Sequence, residues 1–291
     1  MGQVDHAHGC TDADSTPPRG GDAPVRSGTR RSSGQRSSHG SYNDFHVVRE
    51  QGAFASEEGR VPVLNELEVC LFDLDGCLVD SSRPIVAAMN AALATSNLTP
   101  IDETEMLPYV GPPLLGSVAT ILRDRGADPS RATKVVDEYR AAYEAIAVAT
   151  AATYPGVPQL LDLLSGRVRL AVVTSKPEVF ARPVMDRLNF TGYFEFVEGA
   201  GLAETEQKSE TLARALRRLR GDVEARHTAM IGDRRFDIEA ALANGIPSVG
   251  VTWGFGTREE LEQAGATLIV NDPSELAEAI VEDRRTETRP H

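Results

Sequence analysis

Seven polar residues carry the groups best suited to chemistry in this sequence: the carboxylates of Asp73 and Asp75, the hydroxyls of Thr174 and Ser175, the ammonium of Lys208, and the carboxylates of Asp233 and Asp237. Carboxylates gathered at one locus repel, and packed together they take up protons unless a cation sits among them. An all-oxygen donor set points to Mg²⁺, a hard ion that keeps several waters and is often shared with a phosphate. Zn²⁺ is disfavoured, because no cluster of histidines and cysteines accompanies the acids. Four histidines, His6, His8, His39 and His46, lie far upstream, and the cysteines Cys10, Cys70 and Cys77 are scattered.

These residues gain meaning from the elements that end at them. Val69-Cys70-Leu71-Phe72 is an apolar run that stops at Asp73. Val168 to Val173 stops at Thr174-Ser175-Lys176, and Ala229-Met230-Ile231 stops at Gly232-Asp233. Runs of this kind, bounded by turn residues, predict buried strands of a parallel sheet. Pro247 to Val251 and Thr267 to Val270 extend the series. Helical patterns fall between them, over Val179 to Leu188, Ser209 to Leu219, Phe236 to Ala243 and Glu275 to Val281. Strand–helix alternation implies an α/β fold, a Rossmann-like parallel sheet whose ligands sit at the carboxyl ends of the strands. Asp237 follows Asp233 by one helical turn, on the same face.

One interval breaks the alternation. No convincing strand is visible between Asp80 and Tyr154, whereas Arg83 to Ala94, Leu114 to Arg125 and Arg131 to Ala152 read as helices. The expected organisation is therefore a core of residues 63–80 and 155–283 and an all-helical cap of residues 81–154. Residues 1–62 form an N-terminal tail and 284–291 a short polar C-terminal one. The first 62 residues are rich in Gly, Ser, Pro, Arg and Asp and bury too little apolar surface to offset the entropy of ordering, which predicts disorder. A passive tail is one reading; an arm that docks a protein partner is the other.

Net charge is −13 and the pI near 5.0. Such a surface repels nucleic acid polymers and anionic membranes, so neither is an expected partner. It repels a phosphate ester as well, so the site must generate its own positive field from a metal, lysines and backbone amides. Three scattered cysteines make no disulfide framework, and no run is long enough to span a bilayer, so a reducing, cytoplasmic setting is expected.

Phe72-Asp73-Leu74-Asp75-Gly76-Cys77-Leu78-Val79-Asp80-Ser81 resembles the first motif of the haloacid dehalogenase-like (HAD) hydrolases, with Cys77 where threonine is common. Val173-Thr174-Ser175-Lys176-Pro177 resembles the second, Lys208 the third, and Ile231-Gly232-Asp233-Arg234-Arg235-Phe236-Asp237 the fourth. The likeness runs from about Leu67 to Ile280, and four elements in order are far more specific than a lone Asp-x-Asp. The helical insert resembles the cap of the phosphoglycolate phosphatase-like branch. Tyr109 to Leu114, Ser175 to Ala181 and Val251 to Gly256 are similar to a bacterial subgroup labelled 5′-nucleotidase-like.

The resemblance implies a role for each residue. Asp73 attacks phosphorus and becomes an aspartyl phosphate. Asp75 protonates the leaving oxygen and then activates water. Asp73, the Asp75 carbonyl and Asp233 hold Mg²⁺; Thr174, Lys208 and amides near Ser175 bind the phosphoryl group; Asp237 steadies them from behind. An acid at Asp75 favours phosphate monoesters or phosphosugar mutases over dehalogenation. The expected function is hydrolysis of a small phosphate ester such as a 5′-nucleotide or phosphoglycolate. Protein phosphotransfer, as in a few actinobacterial proteins of this fold regarded as tyrosine kinases, is the alternative class.

Blander readings stand beside these. Thr174 and Ser175 also suit a helix N-cap. Cys77 suits a small buried filler. Tyr109, Gly111 and Pro112 suit either a substrate loop or a plain turn in the cap. Arg234 and Arg235 suit either a solvated surface or contact with an anionic substrate.

Overall fold

The computed structural model describes residues 64–203, 206–219 and 223–281. The expected tails, residues 1–62 and 284–291, lie outside the described residues.

In chain order the elements are β1 (Val69–Phe72), β2 (Val79–Asp80), α1 (Ser82–Thr95), α2 (Glu103–Met106), α3 (Leu114–Asp124), α4 (Ala132–Thr150), β3 (Ala152–Thr153), α5 (Val157–Leu164) and β4 (Arg169–Pro177). They continue with α6 (Glu178–Arg187), β5 (Val197–Ala200), α7 (Lys208–Arg218), β6 (Thr228–Gly232), α8 (Arg235–Ala243), β7 (Ser248–Val251), α9 (Arg258–Ala264), β8 (Leu268–Val270) and α10 (Pro273–Val281). The main sheet is parallel throughout, in the order β5-β4-β1-β6-β7-β8. Phe72 at the end of β1 stands opposite Val172 on β4 and Ile231 on β6, so the three chemistry-bearing strands finish side by side.

Both faces of this sheet are covered, which is why its central strands read as unbroken apolar runs rather than alternating ones. Successive side chains still point to opposite faces. Cys70 and Phe72 join the core that includes Leu160, Leu161 and Leu276 of α5 and α10. Val69 and Leu71 join a second core with Leu212, Ala215, Ala240 and Ala241 of α7 and α8. Phe72 is fully buried and meets Phe194 edge-on at 6.3 Å between ring centroids.

Helices α1 to α4 occupy the expected insert, with α1 and α3 packed on α4. Their apolar stripes are buried at Met89 and Leu93, at Val118, Ile121 and Leu122, and at Val135, Tyr139 and Tyr143. The expectation of no strand in this interval is corrected. β3 pairs antiparallel with β2, Val79 opposite Thr153 and Asp80 opposite Ala152, and Thr153 Oγ1 donates to the Leu78 carbonyl at 3.0 Å. Two residues at the end of an alanine-rich helix carry no alternation to read. The two chain crossings between sheet and insert thus run side by side as a short ribbon. Among the described residues no helix is long and apolar enough to cross a membrane.

Candidate active site

β1, β4 and β6 deliver their polar ends to one place. Asp73 leaves β1 with its N–H bonded to the Ile231 carbonyl of β6 at 2.8 Å, which fixes its backbone against the strand that carries Asp233. Gly76 then turns the chain at φ +87°, and a Cβ there would overlap the Asp233 carboxylate. Gly254 closes the other side, since its Cβ would meet the Gly76 carbonyl and Asp233 alike. A carboxylate packed so tightly between two backbones needs glycine on both.

The carboxylates of Asp73, Asp233 and Asp237 gather with one oxygen each inside a 4.8 Å span, all three buried. Lys208, the first residue of α7, reaches Asp73 Oδ1 at 2.7 Å and also pairs with Asp237. A cation at a helix N-terminus works against the helix dipole, so the acids rather than the helix favour its placement. Asp237 Oδ2 also accepts from the Arg234 N–H at 3.0 Å and so helps start α8. Asp233 Oδ2 accepts from the Phe255 N–H at 2.7 Å. Asp233 Oδ1, also buried, has no hydrogen-bond partner among the described residues.

Electrostatics follow from this crowding. Burial lifts the Asp73 carboxyl from an ordinary 3.8 to about 6, with Lys208 pulling it down and Asp237 pushing it up. Burial raises Asp233 well above the usual carboxylate range, and Asp237 and Asp73 add to that. Burial would pull Lys208 down, but Asp237 and Asp73 reverse the sign and hold it above an ordinary lysine. Cys77 is buried, its thiol 3.7 Å from the Ile231 carbonyl and pushed well up by burial, which suits a small core filler and not a nucleophile.

A cavity of about 110 Å³ opens above these groups. Asp73, Asp75, Thr174, Ser175, Lys208 and Asp237 line its floor, and Tyr109, Gly111 and Pro112 of the insert help to line its roof. Thr174 Oγ1 accepts from the Lys176 N–H at 3.2 Å, and the N-cap position of α6 is Pro177, with no side-chain cap, so the capping alternative for Thr174 and Ser175 does not hold. Asp75 stands apart from the carboxylate cluster: Lys176 Nζ lies 2.5 and 2.6 Å from its two oxygens and also bonds to Tyr143 of α4. Tyr143 stacks on Tyr139 at 5.5 Å between centroids.

Sequence reasoning named Lys176 but gave it no partner, and it missed Tyr143 and Tyr139 altogether. Tyr143 is 33 positions from Lys176, and only the docking of α4 over β4 joins them; the spacing of tyrosines on α4 marks a buried stripe and nothing more. Tyr109 is tied by its hydroxyl to Asp124 at 2.9 Å, within the insert.

Comparisons with known proteins give the chain its relatives. A family model described as haloacid dehalogenase-like hydrolase matches residues 70–251. A protein of Pseudomonas aeruginosa named 5′-nucleotidase is 35% identical over 211 residues, which cover 72% of this chain and 94% of that protein. The tyrosine-protein kinase PtkA of Mycobacterium tuberculosis is 35% identical over 231 residues, covering 78% of this chain and 75% of that one. Among solved structures, one described as a predicted phosphatase from Clostridium acetobutylicum superposes with a TM-score of 0.66 at 34% identity, over 73% of this chain and 97% of that chain.

Proposed function

The chain belongs to the haloacid dehalogenase-like hydrolases, and from that premise we propose that it is a Mg²⁺-dependent phosphatase of small phosphate monoesters that works through an aspartyl phosphate on Asp73. The observation that carries this reading is the pairing of Asp73 with Lys208 at the floor of one capped cavity, with Asp233 buried beneath within reach of Asp73.

The donor set fits a divalent ion. Three carboxylates, once ionised, face one ammonium and would leave two negative charges uncompensated, and Asp233 Oδ1 is a buried oxygen with no hydrogen-bond partner among the described residues. Asp73, Asp233 and the Asp75 carbonyl would hold Mg²⁺, with Asp237 engaged by Lys208 behind them. When bound, the ion supplies charge neutralisation for the nucleophile and the phosphoryl oxygens.

The side chains divide the rest. Thr174 and Ser175 offer hydroxyls, and Lys208 an ammonium, to the phosphoryl oxygens, in a setting where burial strengthens each contact. A carboxylate oxygen of Asp73 forms a bond to phosphorus as the ester P–O bond breaks, and Asp75, which must exchange its Lys176 ion pair for a proton as the ester is seated, protonates the leaving oxygen. Water then attacks phosphorus and gives a proton to Asp75, and the bond to Asp73 breaks to release inorganic phosphate. The insert over the cavity keeps bulk water away until an ester is seated.

Phosphate release with MgCl₂ across 5′-nucleotides, phosphoglycolate and hexose phosphates tests this. One preferred class is expected, with Asp73→Asn lowering turnover by roughly three orders of magnitude or more; full activity in that variant ends the aspartyl phosphate mechanism. Similarity to PtkA supports a second reading, transfer of phosphate to protein tyrosine. Incubation with labelled ATP and mass spectrometry of the tyrosines separates the two, since a phosphatase leaves them unlabelled.

A further inference from the structure

Arg234 follows Asp233 directly, and its side chain takes no part in the chemistry above. It is 9% exposed, so it is not the solvated arginine of the first sequence alternative; it borders the cavity, and its printed partners are protein groups. Nη1 donates to the Val110 carbonyl at 2.6 Å and the Leu107 carbonyl at 3.1 Å, both in the insert, while Nε donates to Glu260 of α9 at 2.9 Å. Glu260 also accepts from the Arg235 N–H at 2.9 Å, which ties the same carboxylate to the start of α8.

The receiving loop suits this contact. Leu107-Pro108-Tyr109-Val110-Gly111-Pro112-Pro113 holds three prolines, so it is stiff and poor in N–H donors. Gly111 at φ +109° presses so closely on the core that a Cβ there would stand 2.8 Å from the Phe236 ring. Phe236 lies under the guanidinium of Arg234, 5.5 Å from its centroid.

We propose that Arg234 is a positioning residue that clasps the 107–113 loop of the cap onto the loop bearing Asp233, so that the roof of the cavity closes in register with its floor. Two charge-assisted bonds form only when the loop is seated, while the Glu260 contact lies wholly within the core and holds the guanidinium ready. With the loop lifted, the freed donors turn to water, so opening costs only the difference between the two sets of partners. The clasp rests on the phosphatase reading only for its kinetic consequence.

Hydrogen exchange of the full chain in MgCl₂, followed by mass spectrometry, tests it in wild type, Arg234→Ala, Arg234→Lys and Glu260→Ala. Arg234→Ala is expected to speed exchange of the Leu107 and Val110 amides, which donate to the Glu103 and Leu107 carbonyls, by about tenfold or more, while β6 and α8 keep their protection. Glu260→Ala should shift the same amides less, and Arg234→Lys should recover part of the protection. Where an ester is turned over, kcat/KM should fall by a similar factor. Unchanged exchange in the loop overturns the clasp, including the case where KM alone rises because Arg234 touches substrate. Equal loss of protection in β6 and α8 overturns it too, because Arg234 would then only support the core. The exchange result stands even if every ester in the panel proves inert.

Discussion

Asp233 occupies a setting that a protein selected for stability alone would avoid. It is fully buried, one oxygen has no protein partner, and two other carboxylates lie within reach. Buried acids in such surroundings cost stability unless something compensates them. Replacing Asp233 by Asn keeps the shape, removes a carboxyl whose ionisation burial and its acidic neighbours disfavour, and adds an amide donor facing two acids. The metal-free variant should therefore melt a few degrees above the metal-free wild type, an effect of about 1–2 kcal/mol, yet respond little to MgCl₂ and lose turnover. Scanning calorimetry in EDTA and then in MgCl₂ reads both; a variant that melts lower in EDTA and still gains from MgCl₂ would remove Asp233 from the metal site. The glycines at 76 and 254 belong to the same arrangement, because they let two backbones close on this one carboxylate.

At the scale of elements, α7 shows how a short helix can be placed for its first residue. Gln207 N–H donates to Glu210 at 2.8 Å in a capping box, and Lys208 follows immediately. Loss of that cap by Glu210→Ala should cost about 1 kcal/mol, and a freer Lys208 should raise KM for the ester. Thermal melts and Michaelis kinetics on one preparation check this; a lowered melting temperature with unaltered KM would mean that the acids alone hold the lysine. The strands that carry Asp73, Thr174 and Asp233 were legible because burial on both faces makes them uniformly apolar, and the motifs at their ends gave the floor of the cavity. β5 was not legible: Val197-Glu198-Gly199-Ala200 is an edge strand with a charge and a glycine, and no run marks it. Its Glu198 pairs with Arg214 of α7 at 2.7 Å, a contact no periodicity announces. The roof was legible only as helices. Which of its side chains meet Asp75, Lys176 or Arg234 depends on how α4 and the 107–113 loop dock, and docking leaves no local pattern in a sequence.

For the molecule as a whole, the concentration of acid at one locus links folding to pH and, on the proposed reading, to metal. In the metal-free chain the buried Asp73 carboxyl titrates near about 6, against an ordinary 3.8. Below the lower value the carboxyl is protonated whether the chain is folded or not, so it contributes no difference. Between the two values the folded chain holds a proton that the unfolded chain has released, so stability falls as pH rises through this window. Above about pH 6 the loss is complete and amounts to roughly 3 kcal/mol, the free energy of holding one proton across that pH interval. Other acids work in the opposite direction: Glu195, beside Arg169, is held below its ordinary value, and its contribution is lost as pH falls. The net charge of −13 adds general repulsion at higher pH. Comparison with Asp73→Asn cancels the terms from distant acids such as Glu195 and reports Asp73 together with the neighbours it acts on, Asp233 and Lys208. In EDTA, the melting temperature of wild type minus that of the variant should therefore become more negative between pH 4 and pH 7, by several degrees. MgCl₂ should shrink the difference at pH 7, because a divalent ion held as proposed by Asp73, Asp233 and the Asp75 carbonyl would stabilise the ionised form that burial disfavours. A difference that stays flat across pH in EDTA would mean that Lys208 alone neutralises Asp73, leaving no charge at that carboxylate for a metal to answer.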